Sequence, residues 1–354
     1  MKTDSTTSRF KAQFSRNLLM KVATFLSSLV IGLWLVPYFV KHLGVSAYGM
    51  IPIAGIFTLY AGVIANSLRM PVARFITLAC RGDGNRDPSE VFNTSLVLYV
   101  GIVFVQLPVF YFGYTYFDSL FDVPLEIRND VNVLLICSVS AYCINFVGSA
   151  FQFSTFSNNR VDVEEFVKLS RSLLKVALLL ILFSCLGASL AVVGYVELAL
   201  SLYVFILQLV IWKRFEPSVR FRLRLFRVTQ VYSILSMSAW ILMNTLGSLL
   251  FVRVNLWLIN RYLSVEAAGQ YGALMQWDTL LRTSLNMLTA LFAPMLVIYY
   301  SKKMFSEMHQ LVKLGTKFSM ALMSVPCALV AGFSSEILYF WLGDEFRELG
   351  PVLS

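Results

Sequence analysis

Hydrophobic runs of bilayer length recur along the chain, separated by short charged segments. They occupy residues 22–40, 50–68, 91–113, 131–153, 172–190, 192–212, 231–262, 272–300 and 315–333, nine in all. About 20 apolar residues in helical form cross a hydrocarbon core, so each run predicts a transmembrane helix. The ten-residue alternating segments of a β-barrel are missing. Past Lys175, only Glu197 interrupts the apolar stretch holding the fifth and sixth runs, so a tight turn is expected near Gly187 and Gly194. The seventh run exceeds an upright span and should tilt, kink or project from the bilayer. The pattern predicts an all-α polytopic membrane protein.

Composition agrees. Of 354 residues, 58% are hydrophobic and 14% charged. With a mean hydropathy of +0.71, a water-soluble globule is excluded. The net charge of +9 could suggest nucleic acid, but its placement decides otherwise. Of the 29 Lys and Arg, 23 fall in five clusters: the N-terminus, 69–86, 160–175, 213–227 and 302–317. Between them lie loops that hold little more than Lys41, Arg128, Arg261 and Arg347. That alternation is the positive-inside pattern, which puts the N-terminus on the cytoplasmic side of a bacterial inner membrane. A nucleic-acid groove would need contiguous charge. Cys80, Cys137, Cys143, Cys185 and Cys327 sit in or beside apolar runs without a Cys-x-x-Cys pair, and read as small apolar residues. His42 and His309 fall on opposite sides, so neither metal nor cofactor is expected. The first run is too long for a signal peptide and has no small-residue cleavage site, so it is expected to stay attached.

The longest cytoplasmic segment, 213–230, interleaves Arg220, Arg222 and Arg224 with Phe221, Leu223 and Leu225. It reads as a basic linker between an N-lobe, 1–212, and a second lobe, 231–354, with anionic headgroups as its ordinary contacts. An internal repeat at an offset of 223 residues supports two lobes. Leu33-Trp34-Leu35 matches Leu256-Trp257-Leu258, Tyr48-Gly49 matches Tyr271-Gly272, and Pro71 matches Pro294. Six spans per copy would keep both copies in the same orientation. On that logic the second lobe is partial, and three further spans are expected beyond Ser354, as in a C-terminally truncated chain.

Several short motifs, in order, resemble the polysaccharide transporter (Wzx-type) flippases of the multidrug/oligosaccharidyl-lipid/polysaccharide superfamily. The first is Pro37 through Leu43-Gly44 to Tyr48-Gly49. Asn159-Arg160-Val161-Asp162 follows, then the stretch from Leu258 to Tyr271, and finally Phe340-Trp341-Leu342-Gly343. The resemblance covers nearly the whole chain. It implies two six-helix lobes around a central cavity that opens alternately to either side. The implied cargo is an undecaprenyl-diphosphate-linked oligosaccharide repeat unit for O-antigen, capsule or exopolysaccharide. Membrane lipids and the polymerase and chain-length machinery are the implied partners.

Arg253 and Arg282 fall inside predicted spans. Arg282 lies ten residues past Gly272, roughly 15 Å of helix rise and near mid-bilayer. An arginine there must face water or an anion. Asp278, at i−4, shares its face. Two readings stand side by side: a diphosphate-binding guanidinium, or a structural Arg282–Asp278 pair. Related precursor flippases carry cavity arginines, often on the eighth helix, and this resemblance favours the first. Arg253, nearer a span end, could instead snorkel. Arg69 and Arg74 flank Pro71 where an inner-leaflet phosphate would arrive, although positive-inside placement explains them equally. Glu197 is either an ion-coupling group or a solvated residue of the nearby turn. Pro37, Pro71 and Pro294 are hinge candidates because proline interrupts helical hydrogen bonding.

Two other functions compete. A membrane-embedded polymerase or ligase would need a catalytic platform, and no outer loop much exceeds about twenty residues by this span assignment. A cation-coupled drug exporter of the same superfamily would call for carboxylates within spans one to four, which hold none. No Gly-x-x-x-x-Gly-Lys-Ser/Thr motif occurs, so a transporter here would draw on a gradient rather than on ATP.

Overall fold

All nine apolar runs form helix in the computed structural model, which describes residues 2–81, 87–121, 123–262, 265–342 and 344–353. Some side chains within these ranges, that of Arg253 among them, lie outside the description. The helices are α1 (Lys2–Leu43), α2 (Val45–Ala54), α3 (Ile56–Arg81), α4 (Pro88–Thr115), α5 (Phe117–Leu120), α6 (Arg128–Ser149), α7 (Phe153–Ser157), α8 (Val161–Leu186) and α9 (Leu190–Phe215). They continue as α10 (Val228–Tyr262), α11 (Val265–Thr289), α12 (Ala293–Ser301), α13 (Phe305–Gly332), α14 (Ser334–Leu342) and α15 (Gly350–Leu353). No strand occurs among the described residues, and eight stretches there are long and apolar enough to cross a membrane.

The chain divides into two units, Met1–Leu242 and Met243–Ser354. In the first, α6 packs along α9 and α1 along α8. Gly194 permits the close approach of α6 and α9, since a Cβ there would lie 3.1 Å from Leu134 Cα. In lipid such close backbone approach replaces the missing hydrophobic drive. Two apolar clusters fill the unit, one around Leu35, Leu134 and Leu200, the other around Phe92, Tyr99 and Trp212. The turns between helices use glycine where the backbone demands it. Gly44 and Gly187 both have φ +85°, and Ser189 then caps α9 by accepting from Val192 N.

Three polar clamps hold the helix ends of this unit. Asp162, 2% exposed, receives Arg16 Nη2 at 2.6 Å, Gln13 Nε2 at 2.8 Å and both donors of the Arg160 fork. Its backbone N donates to Asn17 Oδ1 at 3.0 Å, while Asn17 Nδ2 reaches Asn159 O at 3.2 Å. Asn159 itself has φ 53°, a left-handed conformation that asparagine tolerates. The second clamp is Glu216, whose Oε1 accepts from Arg81, Ser157 and Asn158 at 2.7, 2.9 and 2.8 Å. The third fastens the basic segment 213–227 to α4. Asn93, fully buried, donates to Arg220 O and accepts from Arg222 N, while Thr94 Oγ1 accepts from Arg227 N.

In the second unit α13 packs against α11, α12 and α14. The eighth predicted run is two helices, not one: α11 ends at Thr289 and α12 begins at Ala293, with Pro294 in its first turn. There proline's missing N–H costs nothing, so Pro294 starts a helix instead of bending one. The second run likewise breaks at Gly55, three residues after Pro52. The fourth tightens into a 3₁₀ turn at Ala150–Gln152 before α7.

Candidate functional site

The charge that the sequence pattern assigns to a cytoplasmic loop at 160–175 lies on a helix. Lys168, Arg171 and Lys175 stand roughly 10, 15 and 21 Å from the start of α8, which is about 39 Å long. With Glu164 they are spaced four, three and four residues apart, so all four share one helix face. α8 begins eleven residues before the apolar run 172–190, so Lys168 and Arg171 precede that run on the same helix and Lys175 lies just within it.

Partners from three other helices meet this stripe. Arg69 of α3 pairs with Glu164, which also takes Lys168 Nζ at 3.1 Å. Lys168 reaches Glu165 at 2.9 Å as well, and Lys21 of α1 lies within electrostatic reach of both glutamates. Further along, Glu197 of α9 accepts from Arg171 Nη2 at 3.0 Å and from Lys175 Nζ. Glu197 is therefore held between two cations instead of standing in the turn. Five cations face three carboxylates here, an excess of two positive charges. Glu165 is buried at 6% exposed, whereas Arg69, Glu164, Lys168, Arg171, Lys175 and Glu197 are between about one fifth and one half exposed.

Beside the stripe, α6, α7, α8, α9 and the 3₁₀ turn enclose a cavity of about 240 Å³. Its wall includes Asn145, Gln152, Glu164, Lys168, Arg171 and Gln208. Asn145 donates to Ser201 Oγ at 2.8 Å, which in turn donates to Glu197 O, tying the cavity to the Glu197 turn of α9. The Oε1 atoms of Gln152 and Gln208 are buried and accept no hydrogen bond.

The other candidates are placed as follows. Arg282 and Asp278 form an i,i+4 pair on α11, Nε to both carboxylate oxygens at 2.8 Å, with the guanidinium 76% exposed. Arg253 belongs to α10, but its side chain lies outside the described ones. Arg74 Nη1 lies 3.9 Å from Met237 Sδ. Pro37 and Pro71 sit inside continuous α1 and α3, the latter buried. The two units hold Arg69, Arg74 and Glu197 on one side of the division, and Asp278 and Arg282 on the other. Lys168, Arg171, Lys175 and Gln208 were not singled out from sequence. The spacing 164, 168, 171, 175 opposite a lone Glu197 was the available signal. Among the described residues no cluster of three metal-ligating side chains occurs.

No family model matches the chain. The fold is that of the MATE transporters. It superposes on the Vibrio cholerae MATE transporter VcmN in its bent form with a TM-score of 0.75, at 14% identity, covering 98% of this chain and 79% of that one. A MOP superfamily transporter from Pyrococcus furiosus, described as having a binding pocket of reverse polarity that suggests a different function, aligns with a TM-score of 0.66. That match has 14% identity and covers 96% of this chain and 75% of that one. In sequence, the uncharacterized membrane protein EpsK of Bacillus subtilis is 26% identical over 346 residues, 98% of this chain and 68% of the relative.

Proposed function

We propose that the chain is a non-enzymatic flippase of the bacterial cytoplasmic membrane, with its N-terminus inside. It would carry an undecaprenyl-diphosphate-linked oligosaccharide repeat unit outward for surface polysaccharide assembly. Residues 1–212 and 231–354 form its two lobes, joined by 213–230, and Arg282 with Arg253 meets the diphosphate in the second lobe. The observation that carries the reading is the cation-rich stripe on α8. A path lined by Lys168, Arg171 and Lys175 with an excess of two positive charges suits an anionic headgroup and opposes a cationic drug. Guanidinium at Arg171, Arg69 and Arg282 adds the forked donors that match phosphate oxygens. The MATE fold supports transport, the reverse-polarity neighbour shows that the fold accommodates differently charged pockets, and the motif order from Pro37 to Gly343 supports the polysaccharide branch.

The test is reconstitution of the full chain in liposomes containing a fluorescent undecaprenyl-diphosphate-linked oligosaccharide. Protein-dependent loss of the inner-leaflet pool, measured by membrane-impermeant quenching, is the expected result. A cation-coupled exporter would leave that lipid where it is and instead move ethidium against a proton or sodium gradient.

A further inference from the structure

A groove of about 570 Å³ runs along the first unit, walled by α4, the end of α6 and α9. Its floor is built of rings that hold one another in place: Trp212 stacks on Phe92 at 5.3 Å, and Phe151 packs edge-on to Phe205 at 6.0 Å. Trp212 and Phe151 are buried, whereas Ile206, Val210 and Phe221 at the rim are each more than half exposed. The groove is therefore a fixed feature of the packed bundle, open on the side where a membrane span meets hydrocarbon. Along α9 it extends from Phe205 to Lys213. Those eight residues rise about 12 Å, against about 15 Å for one leaflet of the hydrocarbon core.

Charge gathers at one end of it. Lys213 is the only charged residue among the described ones of its wall. Phe221, also in the wall, stands between Arg220 and Arg222, whose backbone N–H groups are both fastened to α4, to Ser89 Oγ at 3.2 Å and to Asn93 Oδ1 at 2.8 Å. That stitching sets a phenylalanine from a run of arginines against the groove. Arg227 pairs with Glu90, whereas Lys213, Arg220 and Arg222 are exposed and meet no carboxylate among the described residues. A second groove, of about 350 Å³ between α3, α4 and α6, supplies the contrast. Phe57, Phe110 and Ile136 line it, with no charged residue among the described ones of its wall. Hydrocarbon suits both grooves, but only the first has unpaired cations at the level of a headgroup. A second copy of this chain, docked symmetrically, would bring the same cations against them.

We infer that this groove seats one acyl chain of an anionic phospholipid, whose phosphate is met by Lys213 and by the arginines on either side of Phe221. The lipid is a bound component of the first unit, and it ties the basic segment to one leaflet. The inference goes beyond the flippase reading and depends on it only for which leaflet that is. Retention in a nanodisc, whose two leaflets are alike, is read without that choice.

The experiment is native mass spectrometry of the full chain released from nanodiscs of equal parts phosphatidylglycerol and phosphatidylcholine with matched acyl chains. One phosphatidylglycerol retained per chain, in preference to phosphatidylcholine, is expected. Lys213→Gln and Arg220→Gln should each lower that preference about fivefold. Ile206→Trp combined with Val210→Trp enlarges two exposed rim residues and alters no charge, and it should abolish retention. Ile136→Trp, which fills the uncharged groove from an equally exposed position, should leave retention unchanged. Equal retention of the two lipids overturns the site. Retention of phosphatidylglycerol that survives the rim variant, or that falls as far in Ile136→Trp, also overturns it and leaves headgroup attraction without a seat. Displacement of phosphatidylglycerol by equimolar undecaprenyl phosphate would give the groove to a polyprenyl tail, and a two-chain mass lost in the rim variant would give it to a second copy. Either result overturns the phospholipid as occupant.

Discussion

Arg171 and Glu197 meet inside the first unit, Nη2 to Oε2 at 3.0 Å, with Lys175 closing on the other carboxylate oxygen. A carboxylate between two cations compensates charge and is poorly placed to trade a proton. Removing it leaves two cations facing each other in a partly desolvated space. Replacing a group of this kind in a dry core costs about 3–5 kcal/mol, and partial exposure reduces that to about 1–3 kcal/mol here. Glu197→Gln should therefore lower the melting temperature in nanodiscs, and adding Lys175→Gln should restore part of the loss. A single mutant that melts like the wild type would mean that water already screens the triad.

The second-lobe pair behaves differently. Arg282 and Asp278 are neighbours on one helix face, and such pairs contribute only about 0.3–0.5 kcal/mol when exposed. Arg282→Ala should leave the protein level unchanged and abolish flipping, while Arg282→Lys retains part of it, since lysine keeps the charge but loses the fork. Full flipping by the alanine variant at wild-type protein level would remove Arg282 from the mechanism.

Sequence pattern and structure part company at particular residues. The helices were legible because lipid imposes a long apolar run on any span, and the turn at Gly187 was legible because an apolar hairpin needs a break. Charge counting gave Lys168, Arg171 and Lys175 a side of the membrane but not their partners. A cation on a helix and a cation in a loop look alike until a partner such as Glu197 is seen across the bundle. The Asn159-Arg160-Val161-Asp162 motif was visible as a pattern, but its work was not. Asp162 is a buried knot joining α8 to α1 through Asn17, which lies 145 residues away. Nor could sequence reveal that Gln208 lacks a partner, because an absent hydrogen bond leaves no pattern along the chain.

That knot supports a third prediction. Asp162 is 2% exposed and accepts from three side chains, so Asp162→Asn weakens a charge-assisted network that holds the start of α8. A loss of about 2–4 kcal/mol is expected, seen as lower membrane abundance and an earlier melt. Asp162→Glu should not rescue it, because a buried site has no room for the extra methylene.

Two glycines of the first motif separate backbone need from mere smallness. Gly44 has φ +85° and ψ 161°, a region open essentially to glycine, whereas Gly49 is ordinary helix with nothing within 4 Å of an added Cβ. Gly44→Ala should cost about 1–3 kcal/mol and Gly49→Ala less than about 0.5 kcal/mol, measured by thermal unfolding. Equal costs would show that the turn between α1 and α2 is not set by Gly44.

The basic segment offers the last test. Its arginines are exposed, yet its backbone is stitched to α4 by Ser89, Asn93 and Thr94. Trypsin needs an unfolded stretch around the scissile bond, so cleavage after Arg220 or Arg222 reports how often the segment lifts off. Asn93→Ala deletes two of the bonds, about 1 kcal/mol each. Cleavage should accelerate roughly tenfold or more, while Glu90→Gln, which loses only the exposed contact with Arg227, changes it little. In inside-out vesicles the site should be reachable and in right-side-out vesicles protected, which tests the orientation drawn from the positive-inside pattern on the same sample. Unchanged cleavage in Asn93→Ala would mean that the segment is released from α4 in the membrane, and its arginines would then be free to follow headgroups wherever these move.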